Sequence, residues 1–180
     1  MAEELKIIIY PDPRLRKISK DVEKFDDELA DLARRMFILM REAKGVGLAA
    51  PQVGKNIRLF VMSHTGLEAD DRVYVNPVLT DAEGDESAEE GCLSIPDIKA
   101  DIPRSKTVKM TARDLTGNPI VETQAGYIAR VWQHEVDHLN GVLHIDRMGA
   151  LAKLAHRKAL KALEDKYAAE HPTPASKARK

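Results

Sequence analysis

The chain has 180 residues, of which 43% are hydrophobic and 32% charged, and its formal net charge is −1. A chain of this length can bury the core of one domain without disulfides, and its near-neutral charge argues against a general DNA-binding or RNA-binding protein. A single cysteine, Cys92, excludes an intramolecular disulfide and fits a reducing compartment. Neither a signal-peptide pattern nor an apolar run long enough for a membrane span is evident, so we expect a cytoplasmic protein without membrane contact.

The first predicted helix covers residues 25–43, where apolar side chains recur at helical spacing, and Gly45 is suited to end it. An uncharged, glycine-rich loop follows at 45–54. Such a loop usually indicates a close approach of the backbone to another group. Residues 58–63 and 73–80 are rich in β-forming side chains and are predicted strands. The acidic residues that come next interrupt this pattern.

The middle of the chain is predicted to be mostly antiparallel β-structure. Segments 107–114 and 119–123 flank Thr116-Gly117-Asn118, which is typical of a hairpin turn. Residues 126–140 return to helical spacing and are apolar nearly all round, which predicts a buried helix that ends at Gly141.

An amphipathic helix is predicted over residues 149–168, and the residues after it are rich in proline and basic side chains. Strands gathered between helices favour the α+β class. We therefore predict antiparallel β-sheets packed around a central buried helix, with a further helix at the C-terminus. One catalytic domain would cover residues 1–168, followed by a flexible basic tail over 169–180.

The predicted central helix contains His134-Glu135-Val136-Asp137-His138, an H-E-x-x-H pattern. Residues four apart share one face of a helix, so both imidazoles can bind one metal ion while Glu135 leans toward an open coordination position. The alternative is a pair of ordinary helix histidines with a surface glutamate between them. Burying these groups without a metal would leave costly polar atoms to pair, so we predict a mononuclear metal site.

The third ligand decides the type of enzyme, and the residues alone leave two alternatives. His144 extends the pattern to H-E-x-x-H-x-x-G-x-x-H, as in metzincin zinc endopeptidases. Met148 suggests a Met-turn, but that turn usually lies much farther downstream. Cys92 would instead give a Cys-His-His site with the fourth position open for water, unless it is an inert buried thiol.

Three separate segments carry a resemblance to a known family: Gly45-Val46-Gly47-Leu48-Ala49-Ala50-Pro51-Gln52, Glu90-Gly91-Cys92-Leu93-Ser94, and Gln133-His134-Glu135-Val136-Asp137-His138. In order and spacing they resemble the motifs of peptide deformylases. Tyr10-Pro11-Asp12-Pro13 and Leu15-Arg16 also resemble the start of that family, so the similarity covers roughly residues 5–148. Three motifs together are far more specific than the helix motif alone.

The resemblance implies a metallohydrolase that removes the formyl group from the N-terminal formylmethionine of newly made polypeptides and releases formate. This is N-terminal methionine processing in protein biosynthesis. The implied metal ligands are Cys92, His134 and His138. Glu135 would be the general acid-base for attack of a metal-bound water, and the Gln52 side chain and the Leu93 backbone N–H would stabilise the oxyanion.

The resemblance also implies that the peptide substrate binds in extended form beside backbone groups near Val46 and Gly47, and that its methionine side chain enters an apolar pocket lined by Val46, Tyr127, Arg130 and Val131. Arg130 would line this pocket with its alkyl stem, although Arg130 could instead point to solvent. Glu90 and Arg104 match a pair that supports the metal loop in the family. The alternative for that pair is a plain surface ion pair.

One divalent metal per chain is implied, most often Fe(II) in the family, although one thiolate and two imidazoles also suit Zn, Ni or Co. Residues 151–180 hold eight basic side chains against three acidic ones, a local net charge of +5. This charge suggests docking on the ribosome, and the alternative is a solvated helix. The remaining alternatives for the whole protein are a metzincin-like zinc endopeptidase using His144 and an inactive ribosome-associated relative.

Overall fold

The computed structural model describes residues 4–172. Its sheet has five strands in the order β1-β2-β3-β4-β5, each antiparallel to the next. The strands are β1 Gly47–Ala49, β2 Leu59–Ser63, β3 Asp71–Cys92, β4 Ile95–Arg113 and β5 Pro119–Ala125. The helices are α1 Asp27–Glu42, α2 Gly126–Leu139, α3 His144–Arg147 and α4 Ala150–Glu170. Short 3₁₀ helices occur at Pro13–Arg16, Ala50–Val53 and Glu68–Asp70. The predicted α+β class is confirmed.

Helices α1 and α2 pack against different sides of strand β2. Leu59 and Val61 belong to the hydrophobic cluster of α1, whereas Phe60 and Met62 belong to the cluster of α2. Successive side chains of a strand point to opposite faces of the sheet. Because both faces of β2 are covered, all five of its residues are buried, and the strand is apolar from Leu59 to Met62.

Helix α2 is anchored on the sheet by Trp132, which is fully buried. The indole packs edge-on against the ring of Tyr74 in β3, with ring centroids 5.6 Å apart. The same cluster contains Phe60 and Met110 from β2 and β4. Aromatic packing of this kind fixes the rotation of α2 about its axis, and so determines which of its side chains face the site.

Strand β3 is longer than predicted, because the acidic stretch 81–90 continues the strand as far as Cys92. Acidic residues have a low β-propensity, which is why the predicted strand ends at Thr80. Basic side chains of β4 compensate for them: Lys109 lies 3.5 Å from Asp81, and Lys99 lies 3.3 Å from Glu89. Opposite charges on neighbouring strands favour pairing, and the ladder to β4 continues as far as Cys92, so pairing with β4 overrides the local preference.

Helix α4 packs on the sheet through few side chains. Leu160 and Leu163 contact a cluster that also contains Ile98 of β4, but no residue of α4 is itself buried. The predicted domain boundary at residue 168 remains a prediction, and residues 173–180 of the predicted basic tail lie outside the described residues. None of the helices within residues 4–172 has the length and apolar composition that a membrane span requires.

Candidate active site

The candidate site lies where helix α2 meets the hairpin turn between β3 and β4. Helix α2 contributes His134, Glu135 and His138. Cys92 is the last residue of β3 and pairs with Ile95 across the tight turn. Two segments distant in sequence therefore bring a thiol and two imidazoles together.

The three donor atoms are close enough to share one metal ion. His138 Nε2 lies 3.3 Å from Cys92 Sγ and 3.2 Å from His134 Nε2, and all three atoms are within 4.8 Å of one another. Tetrahedral bonds of ordinary length to sulfur and nitrogen separate ligand atoms by roughly 3.3 to 3.6 Å. The donor set and its spacing therefore fit a single divalent metal ion with an open fourth position.

His144 is placed elsewhere. Its Nε2 lies 3.2 Å from the carbonyl oxygen of Ile98, and its ring centroid is 6.1 Å from that of His134. Burial lowers the pKa of His144 to about 4, so the ring is neutral and donates to that carbonyl. Of the two alternatives for the third ligand, Cys92 is the residue that the fold brings beside the two histidines.

Glu135 is buried beside the histidines, with 3% of its surface exposed. Burial raises the pKa of Glu135 to about 7. Its Oε2 has no hydrogen-bond partner among residues 4–172. On the other side, a Cβ atom added to Gly47 would lie 2.4 Å from Glu135 Oε1. Glycine at this position therefore leaves room for a carboxylate that keeps one oxygen free.

Gln52 is held with its amide nitrogen toward Cys92. Its Oε1 accepts a hydrogen bond from the backbone N–H of Ala49 at 2.8 Å, which identifies the other end as the NH₂ group. That Nε2 lies 3.2 Å from Ser94 Oγ and 3.5 Å from Cys92 Sγ. Gln52 is 2% exposed, so a fixed donor is aimed at the site from a buried position.

Glu90 and Arg104 form a buried pair behind the histidines rather than a surface ion pair. Arg104 donates two hydrogen bonds of 2.9 Å to the Glu90 carboxylate, and the two side chains are 2% and 6% exposed. Burial alone would raise the pKa of Glu90, but the bonds from Arg104 and His134 hold it well below its usual range. Glu90 Oε2 lies 3.1 Å from His134 Nδ1, which leaves Nε2 of that imidazole facing Cys92 and His138.

A cavity of about 640 Å³ opens next to the donor atoms. Its lining includes Leu93 and every residue that the sequence assigned to the substrate: Val46, Gly47, Tyr127, Arg130 and Val131. Tyr127 is half exposed, and its ring lies 5.7 Å from that of His64. The cavity therefore connects the candidate metal centre to the surface.

Arg130 does not point to solvent. Its guanidinium is buried and donates to Glu90 Oε1 at 2.7 Å, to the Ile102 carbonyl at 2.8 Å and to the Glu86 carbonyl at 2.8 Å. These bonds turn the charged end of the side chain toward Glu90 and the strands. Arg130 therefore has a polar role that sequence reasoning missed.

Asp137 is a second residue whose part in the site was not predicted. It is 7% exposed and accepts hydrogen bonds from Arg104 and Arg147. Its position on a helix predicted to be buried could have revealed it, because a buried carboxylate requires partners. The identity of those partners depends on the tertiary fold.

Comparison with known proteins identifies the family. A family model described as polypeptide deformylase matches residues 4–154. A protein of Brucella suis named peptide deformylase is 43% identical over 167 residues, which cover 91% of this chain and 95% of that protein. Peptide deformylase 1B, chloroplastic, of rice is 45% identical over 166 residues, 91% of this chain, and the match spans only 62% of the rice protein.

A solved structure gives the same result at the level of the fold. The crystal structure of peptide deformylase from Plasmodium falciparum superposes with a TM-score of 0.91 at 38% identity, covering 93% of this chain and 100% of that chain. The chain belongs to the polypeptide deformylase family, whose members are metal-dependent hydrolases.

Proposed function

We propose that the protein removes the formyl group from the N-terminal formylmethionine of newly made polypeptides, with Cys92, His134 and His138 holding one divalent metal ion. The observation that carries the proposal is the convergence of these three donor atoms within 4.8 Å. Glu135 and Gln52 line the same cavity as Cys92 and His134. The family membership supplies the reaction class, and the donor set fits the metal.

The proposed metal is Fe(II), as is usual in the family, although Zn, Ni or Co suits the same ligands. When bound, such an ion lowers the pKa of a coordinated water, so that hydroxide becomes available near neutral pH. An iron enzyme would lose turnover and bound metal on exposure to oxygen. Unchanged turnover and metal content after aerobic handling would contradict iron.

Glu135 is the proposed general acid-base. Its unpartnered Oε2 accepts a proton from the attacking water and returns it to the departing amine. Gln52 Nε2 donates a hydrogen bond to the formyl oxygen as that oxygen gains negative charge. The backbone N–H of Leu93, next to Cys92 in the chain, is the second proposed donor to this oxygen.

The peptide is proposed to bind in extended form beside β1, which is an edge strand of the sheet. An edge strand leaves backbone groups free to pair with an added strand, and Val46 and Gly47 lie at this edge. The methionine side chain would enter the cavity beside Tyr127, Val131 and the alkyl stem of Arg130.

Release of formate from a formyl-methionyl peptide tests the activity, with the acetylated peptide as the matched control substrate. Glu135→Gln should reduce kcat by about 10² to 10⁴-fold and leave the metal content unchanged. In parallel, Cys92→Ser should lose the metal and His144→Ala should keep it. The reverse pattern, with metal kept by the serine variant and lost by the alanine variant, would reject the deformylase site in favour of a three-histidine peptidase.

We also propose that α4 contacts the ribosome, from which nascent substrates emerge in the cytoplasm. One surface groove of this helix is lined by two acidic side chains, Glu164 and Asp165, and by four basic ones: Lys153, Arg157, Lys158 and Lys161. Replacing Arg157 and Lys158 by glutamate should abolish salt-sensitive co-sedimentation with ribosomes. Co-sedimentation that is insensitive to salt, or unchanged in this variant, would reject the contact, and cell fractionation would test the cytoplasmic location.

A further inference from the structure

Asp137 lies on α2 between the two proposed histidine ligands, but its side chain is directed away from them. It accepts one hydrogen bond from Arg104 Nη1 and two from Arg147, through Nε and Nη2. The Asp137 side chain is 10% exposed, that of Arg104 is 2% exposed, and that of Arg147 is 42% exposed. The carboxylate therefore joins a fully buried guanidinium to one at the surface.

The same Arg104 continues the chain of contacts to the metal site. Its Nε and Nη2 each donate to Glu90 at 2.9 Å, and Glu90 Oε2 lies 3.1 Å from His134 Nδ1. Four side chains thus lead, without a gap, from the end of α3 to an imidazole of the proposed metal centre. They are Arg147, Asp137, Arg104 and Glu90.

We propose that Asp137, supported by Arg147, is a positioning residue for the metal centre, acting on His134 through Arg104 and Glu90. This inference rests on the proposed metal site. Asp137 is not a ligand in it, because its carboxylate is fully engaged by the two arginines.

Several donors compete for the Glu90 carboxylate, and this competition explains how Asp137 can affect the position of His134. Glu90 accepts two bonds from Arg104, one from Arg130 and one from His134. Guanidinium groups form stronger bonds to a carboxylate than a neutral imidazole does. By accepting a hydrogen bond from Arg104, Asp137 neutralises part of the positive charge of the guanidinium and fixes its plane. Glu90 Oε2 therefore remains available to His134.

The buried charges also balance only when Asp137 is included. Glu90 and Asp137 supply two negative charges to the two buried guanidinium groups of Arg104 and Arg130. Without Asp137, the two buried guanidinium groups would share one buried carboxylate partner, Glu90, because Glu86, which lies 3.8 Å from Arg130, is 42% exposed. The bond to the imidazole is then the weakest of the competing bonds, and the orientation of His134 would be lost first.

The experiment is cobalt binding to the metal-free protein, measured by chelator competition and by the visible absorption of the cobalt form. Asp137→Asn should bind Co²⁺ about 10-fold more weakly, the lower end of the usual effect of outer hydrogen-bond partners on metal affinity. Its cobalt absorption bands should also shift, because the geometry of the His134 ligand changes. A loss of general stability alone would not move these bands.

Asp146→Asn is the matched control. Asp146 lies in α3 and also pairs with an arginine, Arg16, but it has no contact with Glu90 or Arg104. This variant should bind Co²⁺ within twofold of the unaltered protein and show the same spectrum. Equal weakening in both variants, or wild-type affinity and spectrum in Asp137→Asn, would overturn the inference.

If Asp137→Asn does not fold, Arg147→Gln provides a second test. Because Arg147 is half exposed, this substitution should disturb folding less. It should weaken Co²⁺ binding by a smaller factor, about twofold to fivefold, and unchanged binding would overturn the inference. Cys92→Ser separates this result from the metal assignment. If Cys92→Ser binds Co²⁺ normally, the proposed site itself is wrong; if it loses Co²⁺ while the Asp137 and Arg147 variants do not, only the positioning role fails.

Discussion

The side chains around the candidate metal centre differ in whether a partner holds them. Gln52 is fixed by the Ala49 backbone N–H, and His134 is fixed by Glu90. Glu135 has an oxygen without a partner among the described residues. Donors that only stabilise charge benefit from being fixed in advance, whereas a group that accepts and returns a proton needs a free oxygen. The contacts thus match the roles proposed for these residues.

Gly47→Ala tests how much the position of Glu135 matters. The added Cβ would lie 2.4 Å from Glu135 Oε1 and must displace the carboxylate. Because a shift of about 1 Å in a catalytic group can cost 10²-fold in rate, we expect kcat/KM for formate release to fall by about that factor. The metal content should be unchanged, since Gly47 contributes no side chain to the ligand group.

Gly149→Ala is the control for this substitution, because nothing lies within 4 Å of a Cβ added there. It should retain full activity. Wild-type kcat/KM in Gly47→Ala would show that the Glu135 carboxylate can move without consequence, and would weaken its assignment as the proton-transfer group.

At this scale, the sequence predicted residues that lie within contiguous motifs and missed those that depend on packing. Cys92 and Gln52 were predicted as site residues from resemblance to a family pattern. The direction of the Arg130 guanidinium was not predicted, because its three acceptors lie on β3 and β4. A side chain's partners across a sheet follow from strand register, which local patterns do not specify.

Among the elements, helix α4 is the one least held by the rest of the fold. It has no buried residue, and one hydrogen bond of 2.7 Å joins Glu164 to the hydroxyl of Tyr10 near the start of the chain. Tyr10 also belongs to the apolar cluster that contains Cys92. The packing of α4 is therefore continuous with that of the β3–β4 hairpin, which carries Cys92.

Tyr10→Phe should lower the free energy of unfolding at pH 7 by about 1 kcal/mol, the usual contribution of one hydrogen bond. Burial and the bond to Glu164 raise the pKa of Tyr10 to about 12. An unfolded tyrosine ionises near pH 10, so the native state holds this proton more tightly. Urea unfolding at several pH values measures both effects.

The sign of the pH effect follows from this difference in pKa. The contribution of Tyr10 is complete below pH 10 and is lost as the pH rises toward 12. The gap in stability between the unaltered protein and Tyr10→Phe should therefore narrow across this range. Tyr167→Phe, which removes a hydroxyl from α4 itself, is the control. A gap that widens with pH would contradict the assigned contact.

Element prediction succeeded where periodicity was strong. The helix predicted at 126–140 is α2, Gly126–Leu139, and the helix predicted at 149–168 is α4, Ala150–Glu170. It failed for the second half of β3, where exposed acidic residues give no strand pattern. That segment is a strand because it pairs with β4 as far as Cys92, and basic side chains of β4 lie near two of its acidic residues.

On the scale of the whole molecule, the metal ligands join parts of the chain that local structure would not bring together. Cys92 belongs to the β3–β4 hairpin, and both histidines belong to α2. A bound metal therefore crosslinks the sheet to the central helix. Such a ligand stabilises the native state in proportion to the logarithm of its concentration relative to Kd.

Removal of the metal by a chelator should accordingly destabilise the protein. At a free metal concentration about 100 times Kd, binding contributes about 2.7 kcal/mol. For a chain of this size that loss corresponds to a fall in Tm of roughly 5 to 10 °C. Scanning calorimetry should show the fall on chelation and recovery on adding metal back. Cys92→Ser should show neither change, and an equal response in that variant would place the stabilising metal elsewhere.

The separation of the ligands also has a consequence for folding kinetics. Cys92 and His138 are 46 residues apart in the chain, so their donors meet only after β3 and β4 have paired and α2 has docked. Contacts that close long loops form late and slowly. Trp132, the single tryptophan, is buried on α2 and reports that docking through its fluorescence. In refolding with Co²⁺ present, the rate at which the thiolate–cobalt absorption grows should not exceed the rate at which the Trp132 fluorescence changes. The reason is that Cys92 and the two histidines cannot bind one ion before α2 has docked on the sheet.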